Sequence, residues 1–284
     1  MILSYHPCFE ADKNILCAGR EPSADDLAAI QAARAVILPQ GCYRSLYEMA
    51  HNNCRHVFPN FDSRFKYAGK IGQVRLFQRE NVPHPRTEIH LNVNAFTEHY
   101  GGFPPKPAFD FPFVFKFDWG GEGYQVYLIQ SASEFQDILQ TAGDYEDSGH
   151  TGFIIQEYIP SDNRSLRVVV IGQTIISYWR VQSNTRNFCS NLARGAVIDT
   201  RSDPDLRALA AEQVKAFCSR TGINLAGFDL LFSSRGKSRL PLFLEINYYF
   251  GRRGLGGSER FYEILIAEIE KWIDRISLKL VRNS

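Results

Sequence analysis

The stretches GFDLL, residues 227–231, and FLEIN, residues 243–247, each carry an acidic side chain inside an otherwise apolar segment. Successive side chains of a strand point to opposite faces, so Glu245 and Asn247 share one face. If the two segments pair as neighbouring strands, Asp229 joins them and three oxygen-bearing side chains converge. Such oxygens are the ligands that Mg²⁺ takes, together with phosphate oxygens of a nucleotide.

The acidic residue in the first of these stretches has a second interpretation. A carboxylate inside a hydrophobic strand is costly unless a metal ion or a cationic side chain compensates its charge. For Asp229, the alternative to a metal ion is a structural ion pair with Arg167 or Arg180. Both interpretations stay open on the sequence alone.

A lysine and a glycine-rich turn precede these stretches. Lys116 lies on a strand predicted at residues 111–117, and GGEG follows at residues 120–123. A lysine ammonium supplies positive charge to phosphate oxygens, and a glycine-rich turn lets backbone N–H groups approach them. No GK[ST] follows, and the next predicted element is a strand at residues 124–129, so neither a Walker A loop nor a dinucleotide fingerprint is present. An ordinary hairpin turn is the alternative.

Two further segments carry candidate binding groups. SNLARGA, residues 190–196, is a polar loop in which Arg194, like Arg180 before it, offers a planar fork to anionic oxygens. QEYIP, residues 156–160, is a strand that runs out between two lobes, where backbone groups are able to bind the edge of an adenine. The alternatives are an ordinary surface loop and an ordinary edge strand.

The first third of the chain has the pattern of a small parallel α/β unit. Strands predicted at residues 14–19, 35–39 and 56–59 alternate with helices. The first helix is predicted after a capping box of Ser23 and Asp26. A single helix is predicted at residues 65–80, before two prolines that end it.

The remaining pattern predicts two mixed lobes. The predicted elements are a short helix capped by Ser133 and ending at Leu139, a strand at 153–159, a hairpin of 167–171 with 174–181, a helix at 203–221 capped by Asp203, strands at 226–232 and 242–246, and a closing helix at 258–279.

Composition excludes several classes of protein. The 284 residues are 44% hydrophobic and 22% charged, and their formal net charge of +1 gives no bulk field for nucleic acid or an acidic membrane. The six cysteines and seven histidines are dispersed, which argues against a disulfide framework or a zinc site. No apolar run is long enough to span a bilayer, and the start does not have the pattern of a secretion signal. A cytoplasmic location is therefore expected.

Taken in their order along the chain, these segments resemble the ATP-grasp superfamily, and most nearly its RimK-type amino-acid ligases and glutathione synthetase. SNLARGA is similar to the SNLxRGG loop of the family, and GFDLL with FLEIN is similar to its GxD and xExN metal strands. The resemblance implies an α/β fold with α+β lobes, in which two lobes clasp ATP. The implied parts are an N-terminal parallel α/β domain at 1–83, a central lid lobe at 84–160 and a C-terminal lobe with the metal and substrate site at 161–284.

The resemblance also implies roles for individual residues. Those expected to bind ATP are Lys70, Lys116, Gly120, Gly121, Gly123, Glu157, Tyr158, Ile159 and Arg167. Those expected to hold Mg²⁺, or Mn²⁺ in its place, are Asp229, Glu245 and Asn247. Those expected to act near the transferred phosphate and the acyl group are Arg180, Asn191 and Arg194.

Three positions depart from the family pattern. Gly69 stands where an aspartate precedes the first ATP lysine, and Ser165 stands where an aspartate precedes Arg167, with Asp162 as a nearby substitute. The third departure is the segment YYFGRRGLGG, residues 248–257, which is expected to border the acceptor pocket. Its aromatic residues and adjacent arginines predict an anionic substrate.

The activity implied by the resemblance is that of an ATP-dependent carboxylate–amine ligase. It would act through an acyl phosphate, release ADP and phosphate, and take small-molecule or peptide substrates. A homodimer is a further expectation from the family. The alternatives are a small-molecule kinase on the same scaffold and an ATP-binding regulatory module without turnover.

Overall fold

The computed structural model describes residues 1–17, 19–100, 109–120, 125–182, 195–235 and 239–282, with side chains as far as residue 276. Within these residues the chain forms two four-stranded sheets and one five-stranded sheet, with helices packed on them. In the same part of the chain, no helix combines the length and the apolar character needed to cross a membrane.

The first sheet is parallel and confirms the alternation of strands and helices. Its elements are β1 (Ile2–Ser4), β2 (Lys13–Asn14), α1 (Ala24–Gln31), β3 (Ala35–Ile37), α2 (Arg44–Asn53) and β4 (Val57–Phe58), in the strand order β2-β1-β3-β4. The predicted capping box is confirmed, because the Ser23 hydroxyl and the Asp26 carboxylate each accept the other's backbone N–H. The prediction omits β1, and its strand at residues 14–19 is wrong in extent, because β2 ends at Asn14.

The single helix predicted at residues 65–80 is wrong. The structure has two helices, α3 (Asp62–Lys66) and α4 (Gly69–Arg79). Gly69 has a φ of +72°, a left-handed conformation that interrupts the helical pattern. The backbone of Tyr67 lies against Gly72, where an added Cβ would be 2.4 Å from the Tyr67 carbonyl carbon. The break therefore depends on two glycines rather than on a loss of amphipathic pattern.

The second sheet is antiparallel and has an aromatic core. Its elements are β5 (Thr87–His90), α5 (Val93–Tyr100), β6 (Phe113–Phe117), β7 (Val126–Ile129), α6 (Ala132–Asp147) and β8 (Phe153–Glu157), in the strand order β5-β8-β6-β7. The prediction of a short helix capped by Ser133 is wrong. The cap is Ser131, whose hydroxyl accepts the Glu134 N–H, and apolar residues continue on the buried face as far as Ala142.

The third sheet is antiparallel and carries the predicted metal strands. Its elements are β9 (Arg164–Ile171), β10 (Thr174–Val181), β11 (Val197–Asp199), α7 (Pro204–Thr221), β12 (Leu225–Leu231), β13 (Leu242–Asn247) and α8 (Ser258–Arg282), in the strand order β11-β10-β9-β12-β13. The predicted hairpin and the two metal strands are confirmed as elements. Asp203 does not cap α7 with its side chain; its carboxylate forms an ion pair with Arg164 instead.

The two faces of the third sheet are covered differently. On one face, Val214 and Phe217 of α7 pack on residues such as Val168 and Phe228. On the other face, α8 packs on Val169, Ile171 and Leu225. The polar residues of β12 and β13 lie on this second face, beyond the part that α8 covers. We propose the boundaries 1–83, 84–160 and 161–284 for three domains, because each interval holds one sheet.

Glu268 attaches α8 to the turn between β9 and β10. Its side chain is 2% exposed and accepts hydrogen bonds from the Gln173 N–H at 2.7 Å, the Thr174 hydroxyl at 3.0 Å and Lys271 Nζ at 2.9 Å. Burial alone would raise the pKa of Glu268, but these three hydrogen bonds outweigh it and lower the pKa below the ordinary 4.5.

Glu268→Ala is expected to lower the free energy of unfolding by about 1–3 kcal/mol at pH 7, because it leaves buried donors without an acceptor. The pKa is lower in the folded state, so the contribution of the charge is present above pH 4.5 and is lost as the pH falls through the folded-state pKa. Urea unfolding at several pH values measures both effects. Glu270→Ala, an exposed site on the same helix, is the control; equal losses in the two variants would contradict the assignment.

Candidate active site

Strand register brings the predicted metal ligands together. Asp229 lies directly opposite Arg167 of β9 on one side and Glu245 of β13 on the other. Directly opposed residues of antiparallel strands share a face. Asn247 is opposite Gly227, where an added Cβ would be 3.0 Å from Arg167 Nη1. The missing side chain at residue 227 therefore leaves space for the Arg167 guanidinium beside the carboxylates.

Two arginines hold Asp229 at the centre of this cluster. Arg167 Nε is 2.5 Å from Asp229 Oδ1 and its Nη2 is 3.0 Å from Oδ2, while Arg180 Nη2 is 2.8 Å from Oδ1. Asn247 Nδ2 donates to Oδ2 at 3.1 Å. Burial would raise the pKa of Asp229, but Arg167 and then Arg180 outweigh it and lower the pKa. Asp229 is therefore ionised, and the ion-pair alternative is realised with both arginines at once.

Glu245 differs from Asp229 in its partners. Among the described residues, no hydrogen bond or ion pair joins its carboxylate to another side chain. Burial first, and then the charge of Asp229, raise the pKa of Glu245, while Lys116 and Lys70 oppose the rise. A carboxylate in this setting is stabilised in its charged form by a nearby cation.

The side-chain oxygens at this site fit a magnesium ion only if oxygens of a bound ligand complete its coordination shell. Within the described ranges, no three His, Cys, Asp or Glu side chains are grouped to hold a metal. Asp229, Glu245 and the amide of Asn247 offer two carboxylates and one neutral oxygen, all bordering one cavity. Mg²⁺ is usually bound in this way, through one or two carboxylates with phosphate oxygens and water completing the shell.

Two lysines face the same space from the second sheet and from α4. Lys116 is 8% exposed, and its Nζ donates to Gln156 Oε1 at 2.7 Å. The Nζ of Lys70 donates to the carbonyl oxygens of Trp119 and Gly120, both at 3.1 Å. Burial lowers the pKa of Lys70, and Glu245 and Asp118 oppose that shift. Both ammonium groups lie where they would meet an anionic ligand of the cavity.

The cavity has a volume of about 500 Å³. Ten of the predicted site residues line it: Lys70, Lys116, Glu157, Tyr158, Ile159, Arg167, Arg180, Asp229, Glu245 and Asn247. Apolar side chains, Val114, Val126, Ile154, Leu231 and Leu244 among them, line it as well. The Glu157 carboxylate accepts from the Arg86 N–H at 2.7 Å and from Arg86 Nε at 3.0 Å, and the Glu157 N–H donates to the Arg86 carbonyl at 2.9 Å. The side chain and the N–H of Glu157 are therefore both engaged by Arg86.

Some predicted residues lie elsewhere. Gly120 is exposed, and its carbonyl oxygen accepts from Lys70. Gly121, Gly123, Asn191 and Arg194 lie outside the described residues, as does most of the SNLARGA loop. Their predicted roles stay predictions.

Ser165, which stands where the resemblance led us to expect an aspartate, is a partner of Arg180. Ser165 lies opposite Arg180, and its hydroxyl accepts from Arg180 Nε at 3.2 Å and Nη2 at 2.9 Å. A hydroxyl brings no negative charge, so Asp229 compensates both arginines. Asp162, the expected substitute, is exposed in a turn with a φ of +51° and does not border the cavity.

Gln73 and Tyr178 support the site and were not predicted from the sequence. The Gln73 side chain on α4 accepts the Ile246 N–H at 2.8 Å and donates to the Ile246 carbonyl at 2.9 Å, so it fixes β13 between Glu245 and Asn247. Tyr178 lies under the 248–257 segment, where a Cβ on Gly254 would come within 2.1 Å of its ring. Neither contact has a signal in the local sequence pattern.

Comparison with known families identifies the fold. The family model of the RimK-like ATP-grasp domain matches residues 68–273. The chain belongs to the RimK-like ATP-grasp family. It is similar to the probable alpha-L-glutamate ligases of Pseudoalteromonas translucida, 29% identical over 191 residues, and of Marinobacter nauticus, 31% identical over 191 residues. In each case the match covers 66% of this chain and 57% of the relative, so the chain spans little more than half the length of these relatives.

Solved structures confirm the ATP-grasp architecture. The chain is similar to a RimK domain ATP-grasp protein from Sphaerobacter thermophilus, with a TM-score of 0.63, 14% identity, and coverage of 94% of this chain and 98% of the other. It is also similar to D-alanine–D-alanine ligase from Bacillus anthracis, with a TM-score of 0.57, 14% identity, and coverage of 95% and 87%. The predicted mixed α/β ATP-grasp fold is therefore correct.

Proposed function

We propose that this RimK-like ATP-grasp chain is an ATP-dependent carboxylate–amine ligase that acts through an acyl phosphate and releases ADP and phosphate. The observation that carries the proposal is a single cavity in which two lysines, two arginines and two carboxylates converge. The names of the relatives, which are probable alpha-L-glutamate ligases, support the same reaction class.

The charge of the cavity suits a nucleotide triphosphate. Six basic and three acidic side chains line it, an excess that favours a polyanion. Lys70 and Lys116 would bind the phosphates, and Gly120, Gly121 and Gly123 would close over them. The backbone of residues 157–159 and the apolar walls would hold the adenine.

The metal would be held by Asp229, Glu245 and Asn247, with Mg²⁺ or Mn²⁺ as the ion. When bound, it would neutralise phosphate charge and orient the terminal phosphoryl group. The ion pairs of Asp229 with Arg167 and Arg180 keep its carboxylate in place before any ligand arrives. Arg167 and Arg180 then remain beside the phosphates as fixed positive groups.

The reaction proceeds in two transfers. An oxygen of the substrate carboxylate attacks the terminal phosphorus of ATP, the bond to the bridging oxygen breaks, and ADP leaves with the electron pair. Arg180, together with the predicted residues Asn191 and Arg194, compensates the charge on the transferring group. A neutral amine then attacks the acyl carbon, phosphate leaves, and the amine loses a proton. Positioning and electrostatics supply the catalysis, so no nucleophilic side chain is required.

The proposed substrates are a carboxylate and an amine, each a small molecule or a peptide. The 248–257 segment borders the cavity, and its residues 249–253 and Gly257 also line a second pocket of about 290 Å³ together with Ser258, the first residue of α8. Its two arginines favour an anionic acceptor. A cytoplasmic location, no nucleic-acid or membrane partner and a homodimer belong to the same proposal.

The double variant Arg252→Ala and Arg253→Ala is expected to raise the KM of the amine substrate about tenfold, with the KM of ATP unchanged. Arg253 is exposed, whereas the Arg252 guanidinium lies 4.6 Å from the centre of the Phe261 ring and 4.5 Å from that of Tyr262. The single variant Arg253→Ala therefore reports an effect on substrate binding without the loss of packing that Arg252→Ala would cause. Arg260→Ala, which removes only an exposed pair with Glu263, is the control; an unchanged amine KM in the double variant would refute the acceptor role.

Phosphate release from MgATP tests the proposed function. The purified chain is incubated with pools of carboxylic acids and amines, with acidic amino acids included, and the products are analysed by mass spectrometry. A condensed product with stoichiometric phosphate is expected. A stable phosphorylated product without condensation would favour the small-molecule kinase, and ATP binding without any stimulated release would favour the regulatory module.

A further inference from the structure

We propose that Asp118 is a positioning residue for nucleotide binding, which fixes the helix carrying Lys70 relative to the strand carrying Lys116. The proposal rests on the proposed function, because it concerns the same ATP site. It adds a residue to which neither the motif pattern nor the comparisons assign a role.

The Asp118 carboxylate caps helix α4 from another part of the chain. Asp118 follows β6 directly, and its Oδ1 accepts the Ile71 N–H at 2.7 Å. The first N–H groups of a helix have no partner within the helix, and the residue before it usually supplies a side-chain acceptor. Here that residue is Ala68, which has none. A residue 47 positions away in the chain fills the role.

Two glycines leave space for this carboxylate. A Cβ on Gly69 would lie 2.5 Å from Asp118 Oδ1 and 2.6 Å from Oδ2, so the carboxylate occupies the volume that a side chain at residue 69 would need. A Cβ on Gly152 would lie 3.4 Å from the Asp118 Cβ. The Asp118 N–H donates to the Gly152 carbonyl at 3.0 Å, which fixes the direction of the side chain.

The same contacts determine where both lysines point. Lys70 follows Gly69, and its Nζ donates to the carbonyls of Trp119 and Gly120, the two residues after Asp118. Lys116 lies two residues before Asp118 along the path of β6, so the two side chains point to the same face of the sheet. Asp118 therefore fixes the positions of the two ammonium groups relative to each other, because short hydrogen-bonded segments connect it to both lysines.

Helix α4 extends this linkage to the carboxylates. Its Gln73 holds the Ile246 backbone between Glu245 and Asn247, and its Ile71 and Val74 pack on Ile154 of β8. A displaced α4 would therefore move Lys70 away from Lys116 and from β13 together. The expected consequence is a loss of ATP affinity rather than of amine affinity.

The test compares Asp118→Ala, Asp118→Asn and the matched control Ser131→Ala in the full chain. Ser131 caps α6 on the same sheet through the Glu134 N–H at 3.3 Å, and it does not border the cavity. MgATP binding is measured by calorimetry without carboxylate or amine, and the KM values of ATP and amine are measured separately. Thermal unfolding of each variant reports the cost to the fold.

Asp118→Ala is expected to weaken MgATP binding about tenfold and to leave the amine KM unchanged. Asp118→Asn keeps an acceptor for the Ile71 N–H and is expected to restore affinity to within about threefold of the wild type. Ser131→Ala is expected to leave ATP affinity unchanged. Gly69→Ala tests the same contact from the helix side, because its methyl group would displace the Asp118 carboxylate. It is expected to weaken ATP binding as Asp118→Ala does.

Wild-type affinity in a folded Asp118→Ala or Gly69→Ala variant would overturn the positioning role. Equal losses for Asp118→Asn and Asp118→Ala would overturn it too, since the role belongs to the hydrogen bond. If the wild-type chain itself does not bind MgATP, the proposed function fails and this role fails with it.

Discussion

Asp229→Asn is expected to reduce ligase turnover about a thousandfold. The substitution removes one of two carboxylates proposed to hold the metal and the charge that both Arg167 and Arg180 contact. A neutral amide also lacks the charge that holds the two guanidinium groups in their present orientations. Initial rates of amide formation at saturating MgATP, compared per folded molecule, measure the loss.

The same substitution is expected to cost about 3–5 kcal/mol of unfolding free energy, because it leaves two arginines close to an uncharged group in a buried site. Rates must therefore be measured below the melting transition of the variant. Asp26→Asn is the matched control, since Asp26 is 1% exposed and paired with Arg20 far from the cavity. It should lower stability and leave turnover per folded molecule unchanged. Full turnover in Asp229→Asn would refute the metal assignment.

Lys116→Met is expected to weaken MgATP binding about 100-fold, because a buried ammonium is removed from the phosphate end of the cavity while the volume of the side chain is kept. Gln156 then loses the donor at 2.7 Å, which the methionine cannot replace. Calorimetry with MgATP, and with MgADP in parallel, measures the affinity. The affinity for ATP should fall more than that for ADP if Lys116 binds the terminal phosphate.

Lys215→Met is the control for this second prediction. Lys215 is exposed on α7, outside the cavity. Its replacement changes the net charge of the chain by the same amount, so a general electrostatic effect would appear in both variants. Equal affinity of wild type and Lys116→Met for MgATP would show that this lysine does not bind the nucleotide.

Local signals predicted much of the fold. The capping box at Ser23, the β9–β10 hairpin and the strands β12 and β13 rest on interactions between near neighbours, which leave a pattern in the sequence. The break between α3 and α4 does not, because it depends on the backbone of Tyr67 lying against Gly72. Asp203 has the residue type of a helix cap, but Arg164 competes for its carboxylate.

The residues that border the cavity could be predicted from the sequence, whereas the residues that hold them in position could not. The described residues expected to bind ATP or metal border one cavity, Gly120 excepted, because their order follows a family motif. Gln73 and Asp118 act over sequence separations of 173 and 47 residues, and such contacts depend on the tertiary arrangement. The double arginine pairing of Asp229 was an open alternative, since a sequence cannot show that two cations share the carboxylate that is proposed to bind a metal.

The measurement that tests the central claim most directly follows the oxygen atoms of the carboxylate substrate. The substrate identified by the phosphate-release screen is labelled with ¹⁸O in its carboxyl group and incubated with MgATP, the amine and the chain. An acyl phosphate intermediate requires that the released phosphate carries one ¹⁸O atom from the carboxylate and that ADP is formed. Unlabelled phosphate accompanying the amide product, or AMP in place of ADP, would contradict the proposed ligase mechanism.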